Sequence, residues 1–229
     1  MCSPRSLLLN AASALLLLLG STTAAPTTKT SDVTASFLNN DSDLPPGSCT
    51  STSLHDFHWR ITNLHYTFSL TYTTPSHRIN NAEVSFNLTS NALPDLNVYC
   101  SAWSQDYMDP FYGQRVYDCE TPVNLTTGEP ATLEGGKKVK AKTQFRYWQW
   151  SQSVEVKQTW ECDDLEGVGS MAIFTGNGTS AAQTPNCTHE EHSMPPGQPW
   201  KNGDIYYWSY QHCTLPEFSF PPTELQVFA

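Results

Sequence analysis

"LHYTFSLTY", residues 64–72, decides the fold. Leu64, Tyr66, Phe68, Leu70 and Tyr72 alternate with His65, Thr67, Ser69 and Thr71, and that period of two is the mark of a strand with one apolar and one wet face. Upstream, "FHWRITN" (57–63) sets Phe57, Trp59 and Ile61 against His58, Arg60 and Thr62. Downstream, "AEVSFNLT" (82–89) turns Val84, Phe86 and Leu88 inward and throws Asn87 outward. Further short strands are expected at 97–103, 114–119, 143–151, 153–161, 170–175 and 204–212, separated by Pro, Gly and Asn. No stretch reads as an amphipathic helix, and there is no internal repeat. The expectation is an all-β protein: a single antiparallel β-barrel or barrel-like sandwich, stapled by disulfides.

The ends of the chain follow different rules. "MCSPRSLLLNAASALLLLLGSTTAA" has a short start with Arg5, an apolar run and small residues at its close, which reads as a secretory signal peptide over 1–25. Residues 26–48 are rich in Thr, Ser, Asp and Pro and carry too little apolar surface to offset ordering entropy, so a disordered leader is expected there. The β domain is then assigned to 49–213, and 214–229 to an extended C-terminal tail packed on the sheet. The chain is read as secreted and extracellular. Once Cys2 leaves with the signal, Cys49, Cys100, Cys119, Cys162, Cys187 and Cys213 remain. An even count in an oxidising compartment reads as three disulfides, and none of the cysteines is spaced like a structural zinc site. Asn40, Asn87, Asn124, Asn177 and Asn186 each head an N-x-S/T triplet, so a glycoprotein is expected.

Charge removes some partners. The chain of 229 residues carries a net charge of -10, which excludes nucleic acid and anionic membrane, both of which require a basic face. "KKVKAK" (137–142) is a basic cluster that reads as a solvated strand edge.

Two stretches break the alternation. In "FRYWQW" (145–150), Phe145 and Tyr147 oppose Trp148 and Trp150; in "IYYWSY" (205–210), Ile205 and Tyr207 oppose Tyr206, Trp208 and Tyr210. Large rings on both faces have two readings. Either more protein covers the second face, for which the C-terminal "LPEFSFPPTELQVF" (215–228) is available, or the face is an exposed aromatic platform. On the second reading Trp148, Trp150, Tyr206 and Trp208 are the candidate ligand-binding residues.

The remaining constellations give no catalytic residue, no cofactor and no metal site. "HEEH" (189–192) lacks the H-E-x-x-H spacing and sits in what reads as a loop. His55, His58 and His65 read as surface histidines. Glu161, Asp163 and Asp164 of "ECDD" form the densest carboxylate set and read as a solvated turn rather than a glycosidase pair. The sequence has neither a G-x-S-x-G elbow nor a phosphate loop.

The order of these features resembles the secreted fungal family of the Alternaria major allergen. The similarity runs over residues 49–213: "DFHWRITNLHY" after Cys49, "VSFNLT" leading to "CSAWSQ" and "VYDC", then "FRYWQWSQSVEVKQTW" with Lys157 and Gln158 in its second strand, then "SMAIFTG" before Cys187 and Cys213. The resemblance implies a compact β-barrel, bonds Cys100–Cys119 and Cys187–Cys213, no known catalytic centre, and action by binding a host extracellular protein or a small aromatic ligand. The family's early cysteine links two subunits. Here Cys162 offers Cys49 an internal partner, so a monomer is expected rather than a covalent dimer. The polar segment 179–202 and the tail after Cys213 depart from the family pattern, and no ligand site carries over to them. The leading reading is a secreted, non-catalytic allergen- or effector-type binding protein. A carbohydrate-binding module and a wall-polysaccharide hydrolase are the alternatives.

Overall fold

The computed structural model describes residues 44–106, 110–129, 141–165 and 171–228. The expected signal peptide, most of the leader, Asn40 and the first four residues of "KKVKAK" lie outside the described residues. The chain runs through α1 (Cys49–His55), β1 (Trp59–Thr74), β2 (His77–Ser90), β3 (Leu96–Ser104), β4 (Tyr117–Asp118), β5 (Val123–Asn124), β6 (Lys142–Trp148), β7 (Ser153–Cys162), β8 (Ala172–Thr179), β9 (Asn186–Ser193), β10 (Tyr207–Thr214), β11 (Phe218–Phe220) and β12 (Glu224–Phe228). A large sheet has the order β5-β3-β2-β1-β10-β9, with β11 also on β1, and a small sheet has the order β12-β8-β7-β6-β4. The strand pairs are antiparallel, as the alternation implied.

The two sheets pack face to face. Phe86 of β2 meets Phe145 of β6 with ring centroids 5.0 Å apart, and Tyr66 of β1 meets Tyr147 of β6 at 5.6 Å. Of the two expected architectures this is the sandwich: no closed ring of strands is found among the described residues. The reason lies at the corners. The crossing from β11 to β12 runs through Pro221 and Pro222, which have no N–H to continue a ladder. At the opposite edge β4 and β5 are two residues each, too short to join the sheets.

Two expected strands are one. "FHWRITN" and "LHYTFSLTY" form the single 16-residue β1, and the register with β2 slips between Thr62 and His65. Asn63 sits there at φ 53°, a left-handed residue that an Asn tolerates. The extra residue is a β-bulge, which moves the inward set from the odd positions Trp59 and Ile61 to the even positions Leu64 and Tyr66. Past the bulge the burial changes: from Thr67 to Thr74 every residue is half-buried. Of the residues expected inward, Phe68 still packs half-buried against the core, and Leu70 and Tyr72 lie farther along β1.

Core packing explains the small residues of β8. Trp59 and Trp160 are completely buried; Gly176 and Gly178 take inward positions of β8, where a Cβ would come within 3.1 Å of the Trp59 ring or 2.8 Å of the Pro221 carbonyl. The Trp59 indole N–H donates to Gln158 Oε1 at 2.8 Å, and Gln158 donates onward to Thr143 Oγ1 at 3.0 Å. The buried amide is thereby satisfied, as burial requires.

The three disulfides are Cys49–Cys162, Cys100–Cys119 and Cys187–Cys213, the pairings that the resemblance and the extra Cys162 implied. The first ties α1 to β7. That helix was not expected, because "CTSTSLH" has no apolar stripe. Its buried residues are Thr50 and Ser53, held by polar bonds: Thr50 N donates to Asp164 Oδ2 at 2.9 Å, and the Trp160 indole donates to Ser53 Oγ at 2.9 Å.

The tail lies extended and joins both sheets, and its Phe220 packs on Trp59 with ring centroids 5.5 Å apart. β11 continues along β1 in the register set by β10, pairing Ile61 with Phe218, and β12 pairs with β8.

Candidate functional site

The four aromatic candidates fall into two places. Trp148 ends β6 in the small sheet and Trp150 stands in the β6–β7 turn, whereas Tyr206 immediately precedes β10 of the large sheet and Trp208 is its second residue. The Tyr66 hydroxyl donates to Gln149 Oε1 at 2.5 Å, which fixes the first pair beside residue 66 of β1; Trp208 pairs with Thr71. Five residues of strand separate those points, roughly 17 Å. The structure does not gather the four into one site.

Trp148 is half-buried, and its cover is the loop before β4. Tyr112 bridges to Trp148, and a Cβ on Gly113 would strike the indole at 1.9 Å. Only glycine fits there, and its φ of 78° also suits it to the turn. Trp150 by contrast is 80% exposed. Within the same hairpin Tyr147 donates to Gln152, and burial pushes the Tyr147 phenol well above its ordinary range.

The second place has a cavity. Tyr72, Tyr206 and Tyr207 with Pro195, Pro196 and the Gly197 backbone wall an open pocket of about 410 Å³. Tyr206 N donates to Tyr72 O at 2.9 Å, continuing the β1–β10 ladder, and the Tyr72 and Tyr207 rings meet edge to face at 6.1 Å. The Tyr207 hydroxyl donates to Glu191 at 3.2 Å. The loop from β9 to β10 closes the pocket and is itself braced: Gln198 N bonds Pro195 O at 3.2 Å, and the Trp200 indole bonds Asp204 O at 3.1 Å. Trp208 lies on the outer face beside it and stacks with His192 across the β9–β10 pair, centroids 6.4 Å apart.

Sequence reasoning found Tyr206 and missed the others. Tyr72 read as core, because alternation marks the apolar side of a strand and not what covers it. Pro195 and Pro196 read as loop punctuation, which they are. "HEEH" is a correction: it lies on the exposed strand β9 rather than in a loop. A strand sends His189 and Glu191 to one side and Glu190 and His192 to the other, so the four cannot converge on one ion. His65 stacks on His212 at 5.8 Å, across from β10, not on His58.

The carboxylates of "ECDD" are structural in part, since Asp164 is taken up by Thr50 at the start of α1. The described glycan acceptors occupy different surfaces. Asn87 stands on the outer face of the large sheet opposite Tyr99, Asn186 on its exposed edge strand, and Asn177 on β8 of the small sheet. Asn124 accepts from Thr126 N and Thr127 N in the turn after β5.

No curated protein and no solved structure matches this chain. A family model does: the one described as Alternaria alternata allergen 1 matches residues 61–204, from the core half of β1 to the loop that closes the tyrosine pocket. With its all-β sandwich, its disulfides and a match over more than half its length, the chain belongs to the Alternaria alternata allergen 1 family.

Proposed function

We propose that this protein is a secreted, non-catalytic binding protein that takes a small planar aromatic ligand in the pocket between β1, β10 and the β9–β10 loop. One observation carries the reading: three tyrosines and two prolines wall a single open cavity of about 410 Å³. Ligand pockets usually measure about 300–1,000 Å³. Tyrosine offers a ring face for stacking and a hydroxyl for orientation, which suits a phenolic ligand. The engagement of Asp164 by Thr50 supports binding over hydrolysis, because it fixes one of the candidate acids in a helix cap. Pairing of Cys49 with Cys162 inside one chain supports a monomer.

The test is titration of the purified chain with a panel of phenolic compounds, followed by intrinsic fluorescence. Tyr72→Ala and Tyr206→Ala are each expected to weaken Kd about tenfold, the loss of roughly 1.4 kcal/mol, with the melting temperature lowered by at most a few degrees. A panel without a binder, or variants that bind like the parent, would remove the proposal.

A further inference from the structure

A second surface, away from the tyrosine pocket, carries its own chemistry. On the outer face of the small sheet, β6 presents Lys142, Gln144, Arg146 and Trp148, and β7 presents Glu155, Lys157 and Thr159, while their alternate residues are buried. The register sets Gln144 against Lys157 and Arg146 against Glu155. Val116, Gln144, Arg146, Glu155 and Lys157 line a shallow pocket of about 140 Å³. In a chain of net charge -10 this pocket holds two cations and one anion.

Two of the acids on this face are engaged, and a third, Glu224 on β12, stands opposite Asn177. Glu155 accepts from Arg146 Nη1 at 3.2 Å, and Asp118 accepts from Gln144 Nε2 at 2.8 Å. Arg146 is thus held by Glu155, whereas Lys157 is exposed and has no ion-pair partner among the described residues. Two buried side-chain polar atoms lack a hydrogen-bond partner among the described residues, Arg146 Nε and Asn177 Oδ1. Both belong to this face, on either side of β7, since Asn177 of β8 pairs with Lys157. Unpartnered buried polar atoms are rare in folded proteins.

We infer that this face binds a carboxylated, uronate-type oligosaccharide, with Arg146 and Lys157 receiving its carboxylates. Lysine meets a carboxylate as a point charge, and Arg146, with Nη1 on Glu155 and Nε buried, adds positive charge beside it. A pocket of about 140 Å³ admits one sugar-sized unit and no more. Trp150, 80% exposed in the turn that ends β6, gives a ring face on which a neighbouring unit stacks. Arg146 and Trp150 are more than 6 Å of strand apart, so an oligomer reaches both. Duplex nucleic acid is a poor fit, because it needs many phosphate contacts and this face offers few cations.

The experiment uses the full secreted chain and its Asn177→Gln variant, so that a glycan beside Lys157 cannot mask the face. Both are titrated calorimetrically with trigalacturonate, with its methyl ester and with a sulfated dextran oligosaccharide, which is anionic but carries no carboxylate. Binding of trigalacturonate is expected, at least tenfold tighter than either of the others. Lys157→Gln and Trp150→Ala, both at exposed positions, are each expected to weaken it about tenfold. Tyr206→Ala is expected to leave it unchanged, which separates this site from the tyrosine pocket. The inference is overturned by no binding to either form of the chain, by equal affinity for the methyl ester or the sulfated dextran, or by a Lys157→Gln variant that binds like the parent.

Discussion

The two halves of β1 carry the same alternation and meet different fates. From Trp59 to Tyr66 the inward residues are buried under the small sheet; from Thr67 to Thr74 all are half-buried. Near the small sheet, Trp59 packs against Phe220 and Gly176 and its indole is bonded to Gln158. In the far half, Tyr72 packs on Tyr207 and walls a pocket. An apolar side chain is core only where a second layer faces it. Without that layer the same side chain becomes a binding wall.

Substitution is the sharpest way to break this contrast. Trp59→Ala removes a fully buried ring and strands the Gln158 carbonyl; truncations of this kind cost about 3–5 kcal/mol, with a further 1–3 kcal/mol or so for an unsatisfied buried polar group. Tyr72→Ala takes away a half-buried ring that fills no closed core, and the expected loss is under about 1 kcal/mol. Urea denaturation of both variants decides the matter. Comparable losses at the two positions would mean that the far half is as much core as the near half.

The disulfides make a second, smaller contrast. Cys49–Cys162 closes a separation of 113 residues and pins α1 to the sandwich, while Cys187–Cys213 spans 26 residues within the β9–β10 hairpin. Chain entropy assigns about 4.7 kcal/mol to a loop of some 100 residues and about 3 kcal/mol to one of 15. Paired replacement of Cys49 and Cys162 by Ala is therefore expected to lower global stability by about 4 kcal/mol and leave the tyrosine pocket in place. Paired replacement of Cys187 and Cys213 is expected to cost less globally, yet to abolish binding in the pocket. Thermal melts and ligand titration of both variants read the two effects separately. A pocket unaffected by loss of Cys187–Cys213 would contradict the expectation.

The sequence made the near half legible and left the far half ambiguous, for a physical reason. Alternation reports the polarity of a strand's two sides, and in β2, β6 and β7 that sufficed: Val84, Phe86, Phe145, Val154, Val156 and Trp160 are buried as read. The bulge at Asn63 was hidden, because one extra residue merely reverses the phase and looks like the start of a new strand. Four elements gave no pattern at all. α1 buries only hydroxyl side chains, β9 is exposed along its whole length, and β11 with β12 is too short and Pro-broken to show a period. The site was half legible. Aromatic crowding marked Trp148, Trp150, Tyr206 and Trp208, but tertiary placement set the first two at the end of β6 in the small sheet and the other two at the start of β10 in the large one.

The smallest expected effect lies on the outer side of the near half. Arg60 of β1 donates through Nε and Nη2 to Glu217, in the break between β10 and β11, at 2.6 and 2.8 Å. The hydrogen bond from Arg60 holds the Glu217 carboxyl below its ordinary range. The unfolded chain, with a glutamate pKa of about 4.3, then binds more protons than the folded one in the interval below that value, so stability contributed by Glu217 is present above it and fades as pH falls through the lowered folded value. Both side chains are about half exposed, and such pairs are weak and screened by salt. Glu217→Gln is thus expected to leave the melting temperature at neutral pH nearly unchanged and to flatten slightly the fall in stability between pH 5 and pH 3, an effect that 0.5 M salt should erase. An acid limb identical in parent and variant at low salt would show that β11 is held on β1 by its backbone ladder and Phe220 alone.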